Sequence, residues 1–232
     1  MTSDKDLSDP GYLRSFGRRQ GKKLSPGRER LMTDLLPKIS ITLDKPVRDH
    51  FAPDVKALWL EIGFGGGEHL AAQAAHNPDT GIIGCEPFID GVAKLLAQVN
   101  DAELKNVRVY GDDARKIFPN IKDGELDRTF VLFPDPWRKS RHHKRRFIQK
   151  NSLDEIARML KDGGELRVAS DHMDYVRWTL AHVMRHPDFE WTAKSAEDWR
   201  NPPADWIRTR YEEKALAKGD RCVYMCFKRR DR

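Results

Sequence analysis

Short apolar runs alternate with amphipathic stretches from about residue 54 onward, and this alternation constrains the fold more than any other feature of the chain. Predicted strands cover 57–62, 81–86, 107–110, 126–133, 165–169 and 221–228, and predicted helices cover 68–76, 89–99, 147–160 and 175–184. The third of these helices is expected to stop at Gly163 and Gly164. Since parallel strands need helical crossovers, the pattern predicts an α/β fold with a doubly wound, mostly parallel sheet.

The N-terminal region differs from the rest in composition. Residues 1–30 hold eight Lys and Arg against four Asp and Glu, with few large apolar residues. We therefore predict a basic, partly flexible arm over 1–53 and one folded domain over 54–232. A basic arm suits a polyanionic partner, and the alternative is a solvated tail with no role.

Charge and cysteine content narrow the class of protein. The net charge of +6 favours a polyanionic partner. No apolar run approaches the roughly 18 residues of a membrane span, and the polar N-terminus is unlike a secretory signal. Three cysteines cannot form a disulfide framework, which suits a cytoplasmic protein. We expect no membrane association, and the sequence leaves monomer and homodimer open.

A glycine-rich turn, Glu61-Ile-Gly63-Phe-Gly65-Gly-Gly67, follows the first predicted strand. Glycines at such a turn let backbone N–H groups approach a nucleotide-like ligand closely. A dinucleotide fingerprint would need glycine at position 68, which is Glu68. The pattern instead resembles the cofactor turn of S-adenosylmethionine-dependent methyltransferases, with Gly63 and Gly65 in contact with the cofactor.

Carboxylates end the next two predicted strands. Glu86 follows Gly67 by about twenty residues, the spacing at which an acid accepts hydrogen bonds from ribose hydroxyls. Asp113 ends the third strand, where such folds hold the adenine amino group. The spacing favours a ribosyl cofactor, against the alternative of an ordinary tight turn.

The fourth predicted strand ends in Pro134-Asp135-Pro136-Trp137. Ligands bind at the carboxyl ends of the central strands of an open α/β sheet, so Asp135 is predicted to lie at the reaction site. The two prolines fix φ on either side of it and stiffen the segment. The alternative is a proline-braced turn in which Asp135 only caps a local N–H.

A dense cationic run, residues 138–146, follows at once. It carries six Lys and Arg and two His with no acid. Phosphates attract such a run by charge, and Trp137 offers either a stacking surface for a base or ordinary core packing. We predict RNA contacts from Arg138, Arg141, Lys144 and Arg145.

Together these motifs resemble the bacterial tRNA (guanine-N7)-methyltransferases. The resemblance runs through Glu61–Gly65, Gly84–Pro87, Phe133–Trp137, Arg141–Arg146, Ala169–Asp171, Thr209–Glu212 and, in the arm, Arg14–Gly21. It implies a seven-stranded, Rossmann-like sheet of the class I S-adenosylmethionine-dependent methyltransferase type. It also implies methylation of guanosine N7 at position 46, in the variable loop of tRNA.

Site residues follow from the same resemblance. It implies that Glu61, Glu86, Asp113 and Asp135 contact S-adenosylmethionine or line its site, with Asp135 also catalytic. The residues that it implies for RNA contact are Lys139, Asp171, Thr209, Arg210, Tyr211 and Glu212.

Other functions fit the sequence less well. A catalytically silent RNA-binding protein has no need of four carboxylates at strand ends, and a methyltransferase for small molecules or proteins has no need of the cationic run. A zinc hydrolase is not expected, because the pair His182 and His186 lacks the glutamate of H-E-x-x-H, and we expect no metal. Gly17–Lys23 lacks the spacing and the preceding strand of a P-loop.

Overall fold

The computed structural model describes residues 16–17, 19–21 and 23–232, and its centre is a seven-stranded sheet. The strands are β1 (Ala57–Ile62), β2 (Thr80–Cys85), β3 (Val107–Tyr110), β4 (Leu126–Leu132), β5 (Leu160–Ser170), β6 (Phe189–Trp191) and β7 (Val223–Arg229). Their order is β3-β2-β1-β4-β5-β7-β6, with β7 antiparallel to both of its neighbours and the other pairs parallel. The predicted fold class is confirmed.

Helices cover both faces of the sheet. They are α1 (Pro26–Asp34), α2 (Leu36–Ile39), α3 (Glu68–His76), α4 (Ile89–Asp101), α5 (Lys150–Met159), α6 (Met173–Val183), α7 (Glu197–Arg200) and α8 (Arg210–Ala217). Short 3-10 helices span Val47–His50, Ala114–Lys116, Phe118–Asn120 and Ser140–Arg145. Apolar residues of α3 and α4 enter one core cluster, and those of α5 and α6 enter the other. None of the helices in these residues is both long and apolar enough to cross a bilayer.

Strand β7 shows how alternation determines the two cores. Cys222 and Tyr224 pack into the cluster under α3 and α4, whereas Val223, Met225 and Phe227 pack into the opposite one. Successive side chains of a strand point to opposite faces, so a fully buried strand must be apolar on both. Neighbouring residues of this strand therefore enter different cores, and the cysteines are free thiols.

The start of β5 differs from the prediction, whereas the end of α5 lies within one residue of it. The helix ends at Met159, and Leu160, five residues before the predicted strand, already has extended backbone and pairs with Leu126 of β4. Pairing resumes at Glu165, so the residues between form an irregularity within β5. Gly163 supplies positive φ there. Tertiary pairing overrides the local glycine signal.

Residues 26–51 lie against the sheet, although the sequence predicted an arm there. Helix α1 packs on α4, α2 packs near β3, and Val47 and Phe51 belong to a core cluster. A backbone bridge joins Ser40 to Val109. Residues 1–15, 18 and 22, which include much of the predicted arm, lie outside the described residues. The domain division at residue 53 stays a prediction.

Candidate active site

An open cleft of about 740 Å³ lies at the carboxyl ends of β1, β2 and β4. The strand order reverses here: β2 and β3 continue the sheet on one side of β1, while β4 and β5 continue it on the other. Such a switch point leaves a crevice, because the crossover helices leave toward opposite faces. The cleft is therefore a consequence of topology.

The glycine turn forms one wall. Gly63, Gly65 and Gly67 have φ values of 74°, 57° and 81°, a region that side chains with a Cβ rarely adopt. A Cβ on Gly63 would meet nothing within 4 Å, so the open space beside it belongs to the cleft. The turn then leads into α3. The predicted strand, turn and helix are all present.

Glu86 lines the cleft beside this turn. Its carboxylate accepts hydrogen bonds from the backbone N–H of Gly65 at 2.8 Å and of Phe88 at 2.9 Å. Burial raises the pKa of Glu86 above its ordinary value, against the lowering effect of these two bonds. Among the described residues, both hydrogen bonds to this carboxylate come from the backbone.

Gly91 is a residue that the sequence reasoning missed. A Cβ there would lie 2.2 Å from the carbonyl oxygen of Gly65 and 3.2 Å from Glu86 Cγ. Only glycine lets α4 approach the turn this closely. Its signal was its place within a predicted helix, where glycine costs about 1 kcal/mol relative to alanine and so often has a packing reason.

Asp113 also faces the cleft. Its Oδ1 accepts from the backbone N–H and the Nε of Arg115, at 3.0 and 2.9 Å. The glycine turn, Glu86 and Asp113 thus surround one space, which supplies backbone donors and carboxylate acceptors. Such a set fits the hydroxyls and amine of an adenosyl group.

Asp135 stands on the opposite wall. Its side chain is exposed, and Oδ1 accepts from the backbone N–H of Trp137 at 3.1 Å. Phe133 and Trp137 on either side have φ of 48° and 42°, unusual for residues with bulky side chains. The local cap and the cleft position, weighed as alternatives from the sequence, are both present.

The cationic run divides into cleft and surface residues. Lys144, Arg145 and Arg146 line the cleft, whereas Arg138 and Arg141 are exposed outside its lining. The guanidinium of Arg145 lies 4.4 Å from the Phe16 ring centre and 4.9 Å from that of Trp137. Trp137 is half-buried at the cleft wall, with its ring edge-on to Phe16 at 6.1 Å. Trp137 therefore lies at the rim of the cleft and not in the hydrophobic core.

Glu61 does not line the cleft. It is 2 % exposed, and its carboxylate meets His69 Nδ1 at 2.7 Å. The His69 ring packs on Phe130 and Trp206. In this structure the carboxylate supports the region behind the turn, and its predicted contact with the cofactor stays a prediction.

The stretch Thr209–Glu212 divides into residues that cap α8 and residues that line the cleft. Thr209 and Glu212 form the capping box of α8, and the buried Glu212 carboxylate also accepts from Trp206 Nε1 and Tyr224 OH. Arg210 and Tyr211 line the cleft, with the Tyr211 ring beside Gly65. The T-x-x-E spacing is itself a helix-start signal, which the sequence reasoning did not use.

Lys139 and Asp171 are exposed and lie outside the cleft lining. The predicted RNA contacts of both residues, and of Thr209 and Glu212, stay predictions. Across the described ranges, no group of three or more His, Cys, Asp and Glu side chains is arranged to hold a metal ion.

Comparisons with known proteins agree with this geometry. A family described as "Putative methyltransferase" matches residues 55–225. A tRNA (guanine-N(7)-)-methyltransferase from Rhodospirillum rubrum is 52% identical over 94% of this chain and 89% of its own length. A protein of the same name from Agrobacterium fabrum is 48% identical over 93% and 94%.

Solved structures show the same fold at low identity. An rRNA methylase from Streptococcus thermophilus has a TM-score of 0.53 and 12% identity, over 77% of this chain and 89% of its own. The 16S rRNA methyltransferase KamB has a TM-score of 0.51 and 16% identity, over 78% and 94%. With sequence, fold and cleft in agreement, the chain belongs to the tRNA (guanine-N(7)-)-methyltransferase family of S-adenosylmethionine-dependent enzymes.

Proposed function

We propose that this protein transfers a methyl group from S-adenosylmethionine to N7 of guanosine 46 in the variable loop of tRNA. The observation that carries the proposal is the single cleft shared by the glycine turn, Glu86 and Asp135. It joins a wall suited to an adenosyl group with a carboxylate suited to a base. The names of the relatives at about half identity support tRNA and guanine N7 as substrate and target.

The cofactor, when bound, supplies an electrophilic methyl group on a sulfonium. We expect the backbone of Gly63 and Gly65 to pack against it, Glu86 to accept from its ribose hydroxyls, and Asp113 to hold the adenine amino group. Guanine N7 carries an in-plane lone pair and no proton, so no base is needed to deprotonate the nucleophile. Positioning is then most of the catalytic task, and near-attack geometry supplies roughly 7–11 kcal/mol in favourable cases.

Asp135 is the proposed recognition and stabilising group. Its carboxylate accepts hydrogen bonds from guanine N1–H and the N2 amino group and stabilises the positive charge that develops on the ring. Adenine offers no matching pair of donors, and its binding would displace water from the carboxylate without replacing the lost hydrogen bonds. The same contact therefore provides catalysis and selectivity.

The cations at the rim hold the surrounding RNA. N7 lies in the deep, narrow major groove of an RNA helix, so the target nucleotide must be splayed out to reach Asp135. Lys144 and Arg145 flank the cleft, and Arg138 and Arg141 continue the positive surface beyond it. We place the enzyme in the cytoplasm with its substrate, as either a monomer or a homodimer.

The decisive experiment incubates the protein with methyl-labelled S-adenosylmethionine and an unmodified tRNA transcript, and locates 7-methylguanosine by nuclease mapping. We expect label at position 46 alone. A matched transcript with adenosine at 46 should stay unlabelled. Label at another nucleotide would contradict the position, and binding of the transcript without any transfer would favour the catalytically silent RNA-binding protein.

A further inference from the structure

Arg146 ends the cationic run but differs from its other members. Its side chain is fully buried, whereas Arg141 and Lys144 are exposed. A guanidinium without solvent exposure is closed to a phosphate at the surface. The role of Arg146 must therefore lie inside the protein.

The guanidinium bridges three elements. Nε donates to the carbonyl oxygen of Pro136 at 2.9 Å, and Nη2 donates to Nε2 of His143 at 2.9 Å and to the carboxylate of Asp174 at the start of α6. The cation also lies over the rings of Tyr175 and Trp178, 5.5 and 4.9 Å from their centres. It links the loop that carries Asp135 to a helix on the sheet.

That loop needs external support. Phe133 and Trp137, two residues before and after Asp135, both have positive φ. Such conformations cost of order 1–3 kcal/mol each, and they persist only where the surroundings determine them. Pro136 has no N–H of its own, so its carbonyl is the backbone group through which Arg146 holds the segment.

The contacts of Arg146 are poorly suited to a purely stabilising role. Its Nη1 is buried without a hydrogen-bond partner among the described residues, and the side chain of its partner Asp174 is 51% exposed. Replacing a buried ion pair by an apolar group of similar size is often neutral or stabilising. An arginine buried here with an unpartnered nitrogen points to function.

We propose that Arg146 is a positioning residue for methyl transfer: it fixes the carboxylate of Asp135 in the cleft by holding the carbonyl of Pro136 against α6. This rests on the proposed function, in which Asp135 contacts the target base. The proposal gives two adjacent residues different roles, because Arg145 faces the rim of the cleft whereas Arg146 holds the loop behind it.

The test compares R146M with R146K in steady-state methylation, which gives kcat, and in binding of S-adenosylhomocysteine and tRNA. We expect R146M to lower kcat about 100-fold, the loss that a misplacement of about 1 Å brings. Affinity for both ligands and the salt dependence of tRNA binding should stay within about threefold of wild type. R146K keeps the charge but lacks the fork that reaches both Pro136 and Asp174, so it should remain at least tenfold impaired.

The matched control is R145M, one residue away. We expect it to weaken tRNA binding and flatten its salt dependence. Wild-type turnover in R146M, or full rescue by R146K, would overturn the inference, as would a loss of tRNA affinity in R146M equal to that in R145M.

If R146M does not fold, D174N provides the second test. It removes the charge at the far, half-exposed end of the bridge and should lower kcat three- to tenfold with unchanged tRNA affinity. Unchanged kcat in D174N would overturn the inference in that case. Failure of the proposed function is a separate result, since it appears as wild-type protein that forms no 7-methylguanosine in tRNA.

Discussion

The two walls of the cleft are built by different parts of the chain. The cofactor wall, defined as Gly63–Gly67 with Glu86, is held by backbone: N–H groups bind the carboxylate, and glycines set the turn. The base wall, defined as 133–137 with 144–146, is held by side chains, above all by the bridge from Arg146 to Pro136 and Asp174.

This difference has consequences for mutation. The shape of a wall built from backbone tolerates side-chain changes except where a Cβ would enter occupied space. A wall built from side chains can lose its geometry through one substitution far from the ligand. Four predictions test this contrast, from the largest expected effect to the smallest.

The largest effect is expected at Asp135. Asp135→Asn keeps the shape but replaces an acceptor oxygen with an NH2 group facing the guanine donors. We expect kcat to fall about 100- to 1000-fold, with binding of S-adenosylhomocysteine and tRNA within about threefold of wild type. Steady-state methylation and two binding titrations measure this, and near-normal turnover would remove Asp135 from the mechanism.

The cofactor wall should fail at Gly91. Gly91→Ala places a Cβ 2.2 Å from the Gly65 carbonyl, so the turn must shift. We expect the Kd for S-adenosylhomocysteine, measured by calorimetry, to rise at least about tenfold. Gly27→Ala is the matched control, because that helical glycine has open space around it, and its Kd should be unchanged. Equal Kd values for Gly91→Ala and wild type would contradict the prediction, because they would show that the turn can shift without loss of cofactor binding.

Three cations at and around the cleft should have a smaller effect, and it should fall on tRNA binding. Changing Arg141, Lys144 and Arg145 to Gln together should weaken tRNA binding and reduce the slope of log Kd against log salt by about 2, since each phosphate that a cation neutralises adds roughly 0.7–0.9 to this slope. Filter binding at several salt concentrations measures the change.

Lysines at the opposite edge of the sheet supply the control. Lys56, Lys105 and Lys122 are exposed and come just before β1, β3 and β4, at the amino ends of these strands. Changing all three to Gln removes the same charge from the far side of the molecule. We expect the slope to stay near that of wild type, and an equal loss from both triples would place the tRNA elsewhere.

The smallest effect is a pH dependence of cofactor affinity. Burial raises the pKa of Glu86, so the carboxyl binds a proton at higher pH than an ordinary glutamate does. If the ribose needs the charged form, affinity is full above this pKa and falls as the pH drops through it. Titrating S-adenosylhomocysteine between pH 5 and 8 should show a loss of a few fold at the acid end. Glu86→Gln should bind weakly with no such dependence, and a dependence that survives in this variant would come from another group.

The sequence placed one acid correctly on each wall of the cleft. Glu86 was found by its distance from the turn, and Asp135 by its place at a strand end, since both follow from local order along the chain. Glu61 also sits at a strand end, yet it faces His69 behind the turn. Spacing places a residue at the edge of the sheet, but it does not decide into which neighbour a buried carboxylate points.

Arg145 and Arg146 show the limit most clearly, because they are identical in type and adjacent in the run. The 3-10 helix Ser140–Arg145 ends between them, and one guanidinium reaches the rim while the other turns inward. The partner that holds the second one, Asp174, lies on α6 beyond two intervening elements of the chain. No local pattern marks this pairing.

By itself, the sequence determined the approximate positions of six of the seven strands and of the helices α3 to α6, the glycine turn and the acids at the ends of the strands, because periodicity and backbone freedom act over neighbouring residues. Only the tertiary structure decided that Gly91 admits α4 against the turn and that the buried Glu212 carboxylate also accepts hydrogen bonds from Trp206 and Tyr224. It also decided that Arg146 donates to the carbonyl of Pro136, next to Asp135. These roles depend on which distant groups compete for the same buried space, and that competition is resolved only when the helices pack on the sheet.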